Sequence, residues 1–526
     1  MAPASEGGRF QVREGAIKGT PFVARVTPRR ARLIVERIPT NSVATGTGLL
    51  ERALRRRVIP SVRHAQQVDQ QLSGSPSSAR FLGHPKGLFY LAFTETWERF
   101  SYYGMTALLT LYMSKQLLLP GHAENVLGLE GLRHLFEWRA PMSNIAFASL
   151  LYGWYGGLVY FTPILGGLIA DRWLGTKATV VVGALLMASG HLAMAFDRSF
   201  LIALLLLIVG SGCLKGNISA QVGQLYPDAA DARRTQGYTI FSAGINVGAV
   251  LGPLTCGALA ALYGWHAGFG AAAGLMVVAL LIYLVGQPHL PGDLATKRAR
   301  LVHPPLDAAE RKRTLLLILV AALTLFPNVA YPMIWSIGVL WIDQHVNLNS
   351  PFGAVPASWF NSVDAFASII AVPPLVALWA WQARKKGEPS DVAKIGQGSM
   401  MTGLSALFLA AGALLPGSHG QTNVLWALAG FFGMGVAFLF YWPVLLALIS
   451  HAAPKKVSAT LMGGAFLSFF AGSVVAGWVG SFYDQMSPAA FWSLDAAIGI
   501  VGGLIVFAIQ APLGRALEPA AASAPD

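Results

Sequence analysis

Twelve stretches of predominantly apolar residues recur along this chain of 526 residues, and each is long enough to cross the ~30 Å hydrocarbon layer of a bilayer as a helix. They run over about 88–113, 145–170, 178–196, 200–222, 238–262, 266–286, 314–342, 358–381, 396–415, 423–450, 457–482 and 489–511. Lipid offers no hydrogen bonds to an open backbone, so runs of this length predict an all-α membrane protein of twelve spanning helices. Composition agrees: 54% of residues are hydrophobic and only 12% charged, where soluble domains carry about a quarter charged residues. The frequent glycines and prolines inside the runs are tolerable in membrane helices, whose neighbours compensate for broken backbone bonds.

Charge between the runs sets orientation. The breaks after spans 2, 4, 6, 8 and 10 hold 16 Lys and Arg, and those after spans 1, 3, 5, 7, 9 and 11 hold 4, which predicts that both termini and the even-numbered connections face the cytoplasm. The basic break at 287–313 divides two six-helix bundles, 81–286 and 314–512, leaving a short cytoplasmic tail at 513–526. Two matched halves around a linker are the layout of secondary transporters.

The formal net charge of +13 is concentrated in residues 1–80, which hold 14 of the 38 Lys and Arg but only 5 of the 25 Asp and Glu. This stretch lacks a secretory h-region and contains Arg29, Arg30, Arg32, Arg55, Arg56 and Arg57, so we expect a weakly structured cytoplasmic extension. A polybasic arm on anionic lipid, an Arg-rich transit segment and an upstream-assigned start codon are the alternatives. The basic residues lack aromatic interleaving and sit beside membrane spans, so the charge points to no nucleic-acid partner. Cys213 and Cys256 lie in apolar runs and supply neither a disulfide framework nor a metal cluster.

Charges inside the membrane are costly and mark pathways or relays. In the first six spans Glu95, Glu98 and Arg99 lie in span 1 and Lys215 in span 4. Glu95, Glu98, Arg99, Tyr102 and Tyr103 fall at offsets 0, 3, 4, 7 and 8, on one helical stripe that must face a cavity or another helix. Two carboxylates beside two cations form a coupled titrating set able to exchange a proton, or a static network that fixes helix packing.

These residues carry a resemblance. Glu95-Thr-Trp-Glu98-Arg99-Phe100-Ser-Tyr102-Tyr103-Gly104 resembles the ExxERFxYYG signature of the proton-coupled oligopeptide transporter family within the major facilitator superfamily. Gly166 to Lys177, with Asp171 and Arg172, resembles the family's GGxxADRxxG break. Leu214-Lys215-Gly216-Asn217-Ile218-Ser219 resembles its helix 4 lysine motif, and Phe241 to Gly248 its FYxxINxG motif. The resemblance implies the major facilitator fold and import of di- and tripeptides across the bacterial inner membrane by a monomer, with the proton as coupling ion and no other cofactor. It implies proton coupling at Glu95, Glu98, Arg99 and Lys215, substrate contacts from Arg99, Tyr102, Tyr103, Tyr160, Lys215 and Asn246, and a gate at Asp171 and Arg172.

The second half departs from the family pattern. Pro332 and Met333 stand where an acid and Gln are usual, Phe438 replaces the helix 10 glutamate of GExxxSP, and Ala465 replaces a helix 11 tryptophan. Asp364 takes the place of a usual Asn in Phe360-Asn361-Ser362-Val363-Asp364. Asp364 therefore either holds a cationic substrate end or is a solvated residue near the outer end of helix 8. The altered half leaves open a proton-coupled transporter of another small molecule, such as an amino acid, organic anion or metabolite, and more remotely a transporter-derived sensor. No phosphate-binding loop, HExxH pair or nucleophile elbow occurs, so an ion gradient rather than ATP is the expected energy source, and no enzymatic activity is expected.

Overall fold

The computed structural model describes residues 14–17, 20–26, 33–36, 80–292 and 305–517, apart from positions 139, 227, 229, 230, 352, 386, 416, 418 and 419. Chain contacts separate residues 1–75 from 76–526. In the first unit, β1 (Glu14–Ile17), β2 (Thr20–Val26) and β3 (Leu33–Glu36) form an antiparallel sheet in that order, with Glu14 opposite Val23 and Val26 opposite Leu33. This backbone pairing departs from the weakly structured extension expected there. Its physical basis is the strand-favouring residues Phe22, Val23 and Val26 in one run and Ile34 and Val35 in the other. The arginine clusters of that extension lie outside the described residues, as do 293–304 of the linker and the tail beyond 517.

In the second unit the twelve spans are α1 (Lys86–Tyr112), α2 (Asn144–Ile169), α3 (Thr176–Ala193), α4 (Phe200–Gln224), α5 (Ala232–Tyr263), α6 (Trp265–Gly286), α7 (Ala308–Leu323 and its continuation to His345), α8 (Phe360–Lys385), α9 (Asp391–Leu414), α10 (Val424–Ala452), α11 (Ser458–Gly480) and α12 (Pro488–Leu517). Eleven are long and apolar enough to cross a membrane. The remaining span, α1, has the length, 27 residues, but carries the Glu95, Glu98 and Arg99 charges. Helix starts follow side-chain capping: Ser143 accepts from the Ala146 N–H, Ser390 from that of Ala393 and Asn423 from that of Leu425. A capping box of Asp307 and Glu310 starts α7 inside the stretch expected to be linker.

Span 7, expected as one run, is broken. Leu325–Ala330 is followed by a 3-10 turn, Tyr331–Trp335, and then by Ile337–His345. Pro332 has no N–H to continue the helical ladder, and a broken membrane helix is stable where it lines a cavity.

Within the first bundle α1 packs on α5 and α6, α2 on α4, and α3 on α4 and α6; within the second, α9 packs on α10 and α12, and α8 on α10. The bundles meet through α2 against α11 and α5 against α8. Polar contacts joining them gather at the end that carries the odd-numbered connections. There Lys115 Nζ lies 2.5 Å from Asp343 Oδ2, Ser143 donates to Asp484, and Trp359 Nε1 donates to the Leu254 carbonyl at 2.9 Å. An apolar cluster spans the same seam, packing Leu111 and Tyr103 with Met333, Ile334, Trp335 and Val479. Gly153 of α2 and Gly477 of α11 let the backbones touch: a Cβ on Gly153 would sit 2.6 Å from the Gly477 Cα.

Gly153→Leu is therefore expected to hold that end open, and Lys115→Ala to loosen it slightly, because a half-exposed ion pair contributes at most about 1 kcal/mol. Spin-label distances across the odd-numbered connections check this: they should lengthen strongly for Gly153→Leu and weakly for Lys115→Ala, and unchanged distances in both would refute the seam.

Candidate functional site

The site starts from α1, whose interior stripe follows the 3.6-residue period read from sequence. Arg99 is its hub. Nη2 donates to Glu98 Oε1 at 2.6 Å, Nε donates to Glu98 Oε2, and Nε stands 3.1 Å from Glu95 Oε1. All three side chains are buried. The planar guanidinium matches the two oxygens of one carboxylate, and the i,i+4 spacing brings Glu95 to the same cation. Glu95 Oε2 has no hydrogen-bond partner among the described residues. A glycine lets α5 approach α1 beside this cluster: a Cβ on Gly248 of α5 would lie 2.8 Å from the Arg99 Cβ and 2.8 Å from the Phe100 nitrogen, so only a bare backbone fits there.

Lys215 is placed differently from the ion pairing expected of it. Its Nζ lies 4.5 Å from the ring centre of Tyr102 and 4.9 Å from that of Tyr160, and it forms no ion pair among the described residues. Both Glu98 oxygens and one of Glu95 already face Arg99, and the negative faces of the two rings hold the ammonium instead. Arg99 Cζ lies 5.3 Å from the same Tyr102 ring, so one tyrosine serves two cations.

Tyr102, Tyr103, Tyr160, Asn246 and Asp364 line a single cavity of about 210 Å³ between the bundles. Five residues singled out from sequence are thus brought together, drawn from α1, α2, α5 and α8. Asp364 is 2% exposed, so it is not the solvated residue that was the alternative. Its Oδ2 accepts hydrogen bonds from the Tyr331 hydroxyl at 2.7 Å and from Trp335 Nε1 at 3.2 Å, while Oδ1 has no partner among the described residues. The break in α7 explains the two donors, since the 3-10 turn carries both Tyr331 and Trp335 toward α8.

Pro332 and Phe438, at positions where the family resemblance expected an acid, also line the cavity, and Phe438 stacks on Tyr331 with ring centres 5.0 Å apart. Met333 and Ala465 are buried in the packing around it. Asp171 and Arg172 are not part of this assembly. They sit on a π-helical turn, Ala170–Leu174, exposed and without an ion pair among the described residues. Tyr331, Trp335 and Phe469 are lining residues that sequence reasoning missed. The signal available was an i,i+4 aromatic pair flanking a proline in the middle of an apolar run.

Arg99→Met strands two buried carboxylates and is expected to lower stability by about 3–5 kcal/mol. Adding Glu98→Gln to that variant should recover part of the loss, measured by thermal unfolding in detergent; no recovery would show that the ions do not depend on one another.

The described chain has recognisable relatives. Residues 177–300 and 293–493 match the model of the POT family. The chain is 30% identical over 507 residues to a di-/tripeptide transporter of Lactococcus lactis subsp. cremoris, covering 82% of this chain and 96% of that one. It is 30% identical over 502 residues to an uncharacterised transporter of Bacillus subtilis (strain 168), covering 83% and 96%. Among solved structures it is similar to a peptide transporter POT in complex with sulfate, with a TM-score of 0.74, 27% identity and coverage of 86% of this chain and 99% of that one. A mutant of a peptide transporter POT in complex with alafosfalin gives a TM-score of 0.73 at 28% identity, with coverage of 86% and 99%.

Proposed function

The chain belongs to the POT family, and from that premise we propose that it is a secondary transporter importing di- and tripeptides together with protons by alternating access. A relative of matching length bears the name of a di-/tripeptide transporter. One observation supports the substrate class above others: cations of the first bundle stand directly behind the tyrosine wall of a cavity that an acid of the second bundle lines. Arg99 and Lys215 stand against its Tyr102 and Tyr160 walls, and Asp364 faces it from α8. A zwitterion with separated ends spans such a cavity with its carboxylate toward the first bundle and its ammonium toward the second, and so draws the halves together.

Proton coupling is assigned to the Arg99 clamp. A proton on Glu98 dissolves the bidentate pair and frees the guanidinium for a substrate carboxylate. The unpartnered Glu95 Oε2 offers a seat for a proton that leaves the Arg99 contact intact. Lys215, held by rings rather than by a carboxylate, is available to substrate without breaking an ion pair. The distribution of Lys and Arg in the connections supports both termini in the cytoplasm of a plasma-membrane protein, which makes the packed seam the outer gate and has the cavity open inward. Asp171 and Arg172 then lie at the cytoplasmic end of α2, the place from which an inner gate would act once the halves rock.

The altered second half supports one other reading, a smaller zwitterion such as an amino acid, because Pro332 and Phe438 remove acid positions from the cavity wall. Uptake of labelled alanyl-alanine into proteoliposomes tests the proposal. An inward proton gradient should raise uptake and a protonophore should abolish the increase. Lys215→Ala and Asp364→Asn should each lower uptake at least about tenfold, a ~1.4 kcal/mol effect, at equal protein incorporation. Uptake indifferent to the gradient would overturn the coupling, and competition by amino acids but not by peptides would overturn the substrate.

A further inference from the structure

The surroundings of Asp364 are unusual for a seat that receives a primary ammonium. Such a group brings three N–H donors and a strongly held hydration shell, and burial is favourable only if acceptors replace the lost water. Here Oδ2 is already occupied by Tyr331 and Trp335, leaving Oδ1 as the carboxylate oxygen without a partner among the described residues. The hydroxyls of Ser336 and Ser368, also on the cavity wall, donate to the carbonyls of Pro332 at 3.4 Å and Gly435 at 2.9 Å. The rest of this end is aromatic. Tyr331 and Phe438 stack at 5.0 Å, and Trp335 meets Tyr103 with ring centres 5.4 Å apart.

We propose that the Asp364 end of the cavity is a subsite for an N-alkylated amine, a peptide whose terminal nitrogen is secondary or tertiary, in preference to one with a primary ammonium. This rests on the peptide transport proposed above. An N-alkylated cation presents fewer N–H groups, matching the one unpartnered oxygen of the Asp364 carboxylate, and is less strongly hydrated. Its alkyl groups meet the four rings, where a desolvated cation gains both dispersion and cation–π attraction. The carboxylate supplies the charge and the rings select the substituent.

Thermal-shift titration of the full-length protein in detergent with alanyl-alanine and N-methylalanyl-alanine tests this. The methylated peptide should bind about tenfold more tightly. Phe438→Leu should bring the ratio toward unity, a change in preference that a general loss of packing would not produce. Equal or tighter binding of alanyl-alanine would overturn the subsite while leaving peptide transport standing. If neither peptide binds, it is the peptide reading that fails, and trimethylglycine against glycine puts the same question to the subsite: a preference for trimethylglycine upholds it, and parity or a preference for glycine overturns it.

Discussion

A guanidinium and two carboxylates within five residues of a membrane helix can persist only if they satisfy one another and are screened from lipid. That requirement organises the first bundle. Arg99 takes both oxygens of Glu98 and one of Glu95, and α5 packs a glycine against α1 at the stem of Arg99. The i,i+3 and i,i+4 periodicity that places these ions inward also carries Tyr102 and Tyr103 to the cavity wall. Lys215 pairs with no carboxylate among the described residues, and the tyrosine faces hold it instead. The ion cluster, the cavity and the path of α1 are one structural solution to the cost of charge in hydrocarbon.

In the second bundle the acid at the cavity is Asp364. Asp364 is kept by donors from a helix that had to break to supply them, and Pro332 is what breaks it. Pro332, Phe438 and Asp364 share one wall of the cavity. The wall that results is more aromatic and poorer in acceptors than a pair of carboxylates would make it. The closed seam beyond it joins a half that keeps Arg99 and Lys215 behind the cavity wall to a half that keeps Asp364 in it, so in the proposed reading a ligand with two charged ends acts on their relative position.

Much of this was legible in the sequence because the governing patterns are local. Apolar run length gave the spans within a few residues, and helical spacing gave the α1 stripe. Hydropathy alone passes over α1 in the structure, whereas its charge pattern identified it as the most informative helix. What was not legible depends on contacts between distant segments. That Lys215 would rest on Tyr102 and Tyr160 rather than pair with a glutamate follows from which oxygens Arg99 has already taken. Asp364 could not be placed as buried or solvated from α8 alone, since its partners come from α7. For the paired strands at 14–17, 20–26 and 33–36 the local β signal is Leu33-Ile-Val35.

In the proposed mechanism the two bundles recognise opposite ends of one zwitterion. A structure of the protein with a bound dipeptide measures this directly. The carboxylate should lie within hydrogen-bonding distance of Arg99 or Lys215 and the amino terminus beside Asp364 Oδ1. A dipeptide bound in the reverse orientation, or wholly within one bundle, would contradict it.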